Sequence, residues 1–240
     1  VSEALLIEEH GEGVMFMTLN RPASRNAINL DLVDALSAAL ADLNASPRWR
    51  SAVLTGAPPA FCAGLDLKDF SAPDAPRHKV TELVTSIPHC AKPLIAAVNG
   101  AAYTGGLEIV LSCDFTIASE EARFADTHAR IGALSGSGMG SRLPRRVGGA
   151  WAKQMMFTSA PIDAQTALRI GLVNEIWPQE RVVPRALELA EMIAAHDPEL
   201  VGIVKAVVDR GMETTLGEAV AIEREALAER KRKGAMAWKA

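Results

Sequence analysis

The sequence has no apolar run approaching the ~18 residues that a helical membrane span requires, which excludes a bilayer-crossing helix. Positive charge is not in excess either. Lys and Arg number 25 against 29 Asp and Glu, a formal net charge of −4. A dedicated nucleic-acid binder needs a basic face to neutralise phosphates, so that class drops out, with room left for one local basic patch. Cysteine is scarce: Cys62, Cys90 and Cys113 form no C-x-x-C pair, and their odd number suits neither a disulfide framework nor a thiolate zinc site. They read as small buried residues, and no metal is expected. No G-x-S-x-G elbow occurs, which argues against a serine hydrolase of that kind. Residues 1–9 carry acids where a secretory signal carries cations, so the expected location is cytoplasmic.

What is present fits one large domain, or one plus a smaller appendage, in 240 residues. Hydrophobic residues at 49% and charged residues at 22% match an ordered globular chain. Apolar runs at residues 4–8 and 14–19, separated by His10-Gly11-Glu12-Gly13, predict a β-hairpin. Leu32, Leu36, Leu40 and Leu43 recur at helical spacing and predict a helix over residues 31–44. Residues 51–55 and 94–98 read as short buried strands, 71–76 as a loop and 77–86 as a short helix. From residue 149 the strand signal nearly vanishes. Helices are expected at 149–158, 163–169, 180–195, 199–210 and 216–232, with one strand at 172–176. An α/β body at 1–150 and a helical region at 151–240 follow. Apolar stripes in the second region, such as Val182, Ala186, Leu189 and Ile193, need partners. The charge run 223–233 reads as a solvated face or as an oligomer contact.

The chemically informative stretch is Asn99-Gly100-Ala101-Ala102-Tyr103-Thr104-Gly105-Gly106-Leu107-Glu108. A strand ends at Val98 and a helix starts near Gly105-Gly106, which brings free N–H groups and a positive dipole end together, in outline an anion hole. Tight helix packing explains the glycines equally well. Glu108, in the first turn of an otherwise apolar helix, is the candidate acid–base carboxylate, because desolvation there raises its pKa. A helix-start acid favouring the dipole is the plainer alternative. A second small-residue loop, Phe61-Cys62-Ala63-Gly64-Leu65-Asp66-Leu67-Lys68, offers another backbone N–H to the same developing oxyanion if the two loops meet. Gly136-Ser137-Gly138-Met139-Gly140 lacks the dinucleotide spacing and follows no strand, so it reads as a pocket-lining turn.

Asn20-Arg21-Pro22 through Asn26-Ala27, Phe61 through Leu67, Lys92-Pro93 through Asp114, and Gly171-Leu172-Val173 resemble successive signatures of the crotonase, or enoyl-CoA hydratase/isomerase, family. The resemblance spans nearly the whole chain. It implies a spiral ββα core with a helical C-terminal region that builds trimers, often paired into hexamers, and an acyl-CoA substrate with no cofactor besides the coenzyme A it carries. It implies that the backbone N–H groups of Leu65 and Gly105 hold the thioester oxygen of a CoA enolate. Ala63, Asp66 and Leu67 would line the adenine and pantetheine channel, and Arg25 and Lys68 would face its phosphates or else stand as ordinary surface cations. Glu108 matches the first of two glutamates in family hydratases, whereas His128 stands at the second. Imidazole also exchanges protons near neutral pH, but a plain double-bond isomerase, which relies on that second site, is disfavoured. Ser135 stands where the family usually has proline, which alters the expected acyl pocket.

The resulting expectation is hydration of a 2-enoyl-CoA to a 3-hydroxyacyl-CoA by Glu108 and His128. The alternatives are a thioester hydrolase or C–C bond-cleaving member that uses His128 with Asp126, and a silent acyl-CoA-binding protein.

Overall fold

Strands β1 (Leu5–His10) and β2 (Val14–Leu19) pair antiparallel, from Leu5 opposite Leu19 to His10 opposite Val14. The turn between them uses Gly11 and Gly13 at positive φ. The computed structural model describes residues 3–234. Helix α1 (Leu30–Ala45) starts where the Asn29 side chain accepts a hydrogen bond from the Leu32 N–H, and it buries Leu32, Leu36, Leu40 and Leu43 as expected. Three strand pairs follow: β3 (Ser51–Gly56) with β4 (Ala60–Cys62), β5 (Leu94–Val98) with β6 (Ala101–Tyr103), and β7 (Phe115–Ser119) with β8 (Arg123–Ala125). Helices α2 (Leu67–Phe70) and α3 (Arg77–Ser86) lie between the first and second pairs, and α4 (Gly105–Ser112) between the second and third. Then come α5 (Met139–Val147), α6 (Gly149–Thr158), β9 (Ile162–Asp163), α7 (Ala164–Arg169), β10 (Glu175–Trp177), α8 (Val182–Ala194), α9 (Pro198–Gly211) and α10 (Leu216–Arg232).

The first strand of each pair enters a six-stranded sheet of order β1-β2-β3-β5-β7-β10, and the second enters a four-stranded sheet of order β4-β6-β8-β9. Repetition of that step is the spiral ββα arrangement. Strands β3 and β5 are buried along their whole length, so neither alternates: β5 is apolar from end to end, and β3 is apolar at its centre with the buried hydroxyls of Ser51 and Thr55 bonded to Ala190 O and Ala97 O. In the smaller sheet β4, β6 and β8 run parallel, with Cys62 opposite Ala102 and Tyr103 opposite Ala125. Their carboxyl ends therefore open on one side, where ligands bind in open parallel sheets.

Two expectations change. The strand expected at 172–176 is shorter and later. Gly171, at positive φ, follows α7, and Leu172 and Val173 are core residues outside any strand. Asn174 then exchanges hydrogen bonds with Thr116 before β10 pairs with β7. The apolar stripe of α8 does not await another chain. Val182, Ala186, Ala190 and Ala194 pack on Val14, Val53, Ile95, Ala97 and Ile117 of the large sheet, and Leu189 and Ile193 cover the edge of that cluster. Alanine at every fourth position brings the helix close to the strands.

The compact units divide between Ala194 and Ala195, while residue 150 marks only the change to mainly helical structure. In the second unit, α9 and α10 bury no residue fully. Leu200, Val204, Val208, Met212, Leu216 and Leu227 stay exposed. No helix among the described residues is long and apolar enough to cross a membrane.

Candidate active site

The three parallel strands of the small sheet deliver three loops to one cavity of about 630 Å³. After β4 come Ala63, Leu65 and Leu67. After β6 come Thr104 and, one turn into α4, Glu108. After β8 come Thr127 and His128, all on the cavity wall. Helix α3 adds Arg77, Val80 and Thr81, and the Gly-rich segment adds Ser135, Gly136 and Ser137, so that segment is a pocket-lining turn as expected.

The two small-residue loops meet. Gly64 has φ +99°, and a Cβ there would stand 3.5 Å from the Gly105 nitrogen. Around it Ala63 N–H donates to Arg25 O and Asp66 N–H to Ile28 O. Among the described residues no backbone carbonyl takes the N–H of Leu65 or Gly105. Gly106 allows α4 to lie on β4, since a Cβ there would come within 2.2 Å of Cys62 O. Thr104 holds φ 50° and ψ −109°, a costly conformation for a threonine that recurs where structure is held for function. Its hydroxyl bonds that of Thr127 at 2.5 Å and ties the start of α4 to the loop carrying His128.

Glu108 is only 3% exposed. Burial pushes its pKa above the ordinary carboxylate value, opposed by a hydrogen bond from Ser135 and by the nearby His128 charge. Ser135 Oγ donates to Glu108 Oε1. His128 Nδ1 lies 2.5 Å from Oδ1 of Asp126, itself 1% exposed, and the same oxygen accepts the His128 backbone N–H at 3.2 Å. Burial lowers the pKa of His128, but the Asp126 hydrogen bond and charge, with the Glu108 charge, outweigh it and the pKa is raised overall. With Nδ1–H donated to Asp126, Nε2 is the imidazole atom free for proton transfer.

Gly105, Arg25, Asp66 and Lys68 are not among the residues lining the cavity. Asp66 is committed to structure: it accepts from Arg21 Nη2 at 3.0 Å and from Lys68 N–H at 3.1 Å, which caps α2. Arg25 and Lys68 are exposed, and Arg25 joins the Ala63 loop through its carbonyl. All three cysteines are free and buried, and burial raises the Cys62 thiol to about 12. Among the described residues no group of three or more His, Cys, Asp or Glu side chains converges as a metal site would. The sequence reading missed the Ser135 bond to Glu108 and the place of Arg77 and Thr81 on the wall. Ser135 was visible only as a change of pocket shape, because its partner lies 27 positions away.

Two adjoining loops with free backbone N–H groups, a buried carboxylate and an Asp-paired imidazole form an arrangement able to stabilise an oxyanion and move protons. The enoyl-CoA hydratase/isomerase family model matches residues 9–237, and the chain belongs to that family. It is 38% identical over 225 residues to a probable enoyl-CoA hydratase of Rhizobium meliloti, covering 92% of this chain and 87% of that protein. It is 35% identical to the short-chain-enoyl-CoA hydratase of Clostridium acetobutylicum, covering 94% and 88%. An enoyl-CoA hydratase structure from Bacillus anthracis superposes with a TM-score of 0.91 at 33% identity, covering 94% of this chain and 90% of that one. The fold is the crotonase fold.

Proposed function

We propose that the protein hydrates a 2-enoyl-CoA to a 3-hydroxyacyl-CoA. The supporting observation is that Glu108 and the Asp126-oriented His128 share one cavity with Leu65 and Thr104, whose loops meet where Gly64 approaches the Gly105 nitrogen. Ionised Glu108 takes a proton from water as its oxygen bonds the β-carbon. The π electrons move to the thioester oxygen, which the Leu65 and Gly105 amides hold as an enolate. Protonated His128 then gives its Nε2 proton to the α-carbon as the enolate collapses. One water has been added, and the Glu108 proton returns to His128 to reset the pair. Coenzyme A enters only as part of the substrate, with Ala63, Leu67 and the exposed Arg25 and Lys68 proposed to meet it; Asp66 would shape that channel through its cap and its Arg21 pair.

The test is incubation with crotonyl-CoA, following loss of the enoyl-thioester absorbance and identifying the product. A 3-hydroxyacyl-CoA supports the reading. Release of free CoA would instead favour thioester hydrolysis, for which the His128–Asp126 pair is the specific observation. Binding without turnover would favour a silent acyl-CoA carrier.

The assembly proposed is a homotrimer or hexamer, supported by the exposed apolar side chains of α9 and α10. A monomer by light scattering at micromolar concentration would overturn it. A cytoplasmic setting is also proposed. Relatives named peroxisomal in Arabidopsis thaliana and mitochondrial in Pongo abelii make fractionation its test.

A further inference from the structure

Ser135 lies in the segment between the turn at residues 129–131 and α5, and its hydroxyl has three neighbours. Ser137 N–H points at Oγ from 3.2 Å and Met139 N–H from 3.3 Å, while Oγ bonds Glu108 Oε1. A hydroxyl has one hydrogen and two acceptor positions. With two backbone N–H groups directed at the oxygen, its single hydrogen goes to the carboxylate. We infer that Ser135 is a positioning residue for Glu108: two backbone N–H groups fix its hydroxyl as a donor, which orients the carboxylate and holds it in its proton-accepting form. This rests on the proposed role of Glu108 as base.

The need for such a donor follows from the surroundings. Glu108 is buried in an apolar helix, and burial favours the neutral acid, which cannot accept a proton. The charged groups acting on it are His128, which favours the carboxylate, and Asp126, which opposes it. Arg77 of α3 shares the cavity wall. Among the other elements packed against α4, α5 contributes Arg142, which donates to Ser112 Oγ at 2.5 Å, and β4 contributes the Cys62 thiol, neutral at working pH. Strand β6 contributes Tyr103, and the short turn at residues 87–89 contributes His89. Ser135 Oγ is the side-chain donor that this segment presents to the carboxylate.

The experiment is an infrared difference titration of the Glu108 carboxyl, with Glu108→Gln as the blank, in the wild type and in Ser135→Ala, Ser135→Gly and Ser135→Thr, alongside the pH dependence of kcat. Loss of the hydroxyl in the Ala and Gly variants should move both the carboxyl midpoint and the acid limb of kcat upward by about one pH unit, with KM little changed. Ser135→Thr keeps a hydroxyl and should keep the wild-type profile. Either the Ala or the Gly variant suffices if the other does not fold. A midpoint at the wild-type value in the variant that folds, or a loss of rate equal at every pH, overturns the positioning role. Near-full turnover of Glu108→Gln instead overturns the proposed reaction, while the infrared midpoint still reports on the Ser135 bond, so the two failures are distinguishable.

Discussion

Glu108 and His128 face one cavity from walls built in opposite ways. The Glu108 wall is the first turn of a helix buried along its whole length, locked onto β4 at Gly106. The His128 wall is a loop and a short turn, with Ile131 54% exposed and Leu134 91% exposed. Glu108 is therefore perturbed chiefly by burial and His128, on balance, by a charged neighbour. Burial biases Glu108 toward its neutral form and Asp126 biases His128 toward its charged form, so ionised Glu108 and protonated His128 would coexist between their two titrations. Both pKa values are raised, so the pair should give a bell-shaped rate profile. It rises as Glu108 loses its proton above the usual carboxylate range and falls as His128 loses its own above the usual imidazole range.

The largest expected effect removes the buried partner. Glu108→Gln keeps the shape and loses the proton-accepting oxygen, so kcat should fall by about 10²- to 10⁴-fold while CoA binding changes little. Steady-state kinetics with a separate CoA-binding measurement checks this. Turnover near wild type would mean that burial of Glu108 serves packing alone.

Replacing the loop partner by its family counterpart comes next. From sequence, His128→Glu restores a two-carboxylate arrangement and should preserve or raise activity, unless repulsion from Glu108 keeps one carboxyl protonated. The structure weighs toward that second outcome, because Asp126 is buried 2.5 Å from the imidazole and would then face a like charge as well. We expect kcat at neutral pH to fall by about 10- to 100-fold, through loss of the acid and through repulsion that keeps one carboxyl protonated. His128→Glu combined with Asp126→Asn should recover part of the loss. Full activity in the single variant would show that Asp126 does not constrain the loop.

How far these walls were legible from sequence follows from the range of their contacts. Strand β5 is apolar throughout, β3 has an apolar centre at Ala52-Val53-Leu54, and α1 shows its leucine spacing within one segment, so local pattern identifies them. The strands that aim the site, β4, β6 and β8, have three residues each and exist through pairings such as Ala101 with Arg123, which no local periodicity reports. Glu108 stood out as a lone acid in an apolar helix. The Asp126 pair lay two residues from His128 and was within reach of a sequence argument. The partners of α8 were not, since Ala190 and Val53 are brought together only by the sheet.

Rigidity of the two walls can be contrasted directly. Gly106→Ala would drive a Cβ to 2.2 Å from Cys62 O, a backbone atom that cannot swing aside. A loss of about 1–3 kcal/mol is expected from overpacking. Gly132→Ala meets nothing within 4 Å and bears only the left-handed backbone penalty at φ +67°, about 1–2 kcal/mol. Thermal melts should rank Gly106→Ala as the less stable and, through displacement of the Gly105 amide, the less active. Equal kcat in the two variants would mean that the Glu108 wall is not the stiffer.

The smallest expected effect is the most specific. Asp126→Asn keeps an oxygen to accept Nδ1–H and removes the charge, so His128 should hold its orientation while its pKa falls. The alkaline limb of kcat should move down by about one pH unit, with the acid limb nearly in place. The sign for stability follows from the raised pKa of His128. A group whose pKa rises on folding contributes most below its unfolded value, about 6.5. That contribution is lost as pH climbs through the folded value. Wild type should therefore exceed Asp126→Asn in stability most clearly below about pH 6.5, and the gap should narrow as pH climbs through the raised value. Denaturant titrations across that range measure the gap. A gap that does not change with pH would mean that Asp126 supports the loop by shape alone, and that the charge-tuned half of the site is not tuned by this carboxylate.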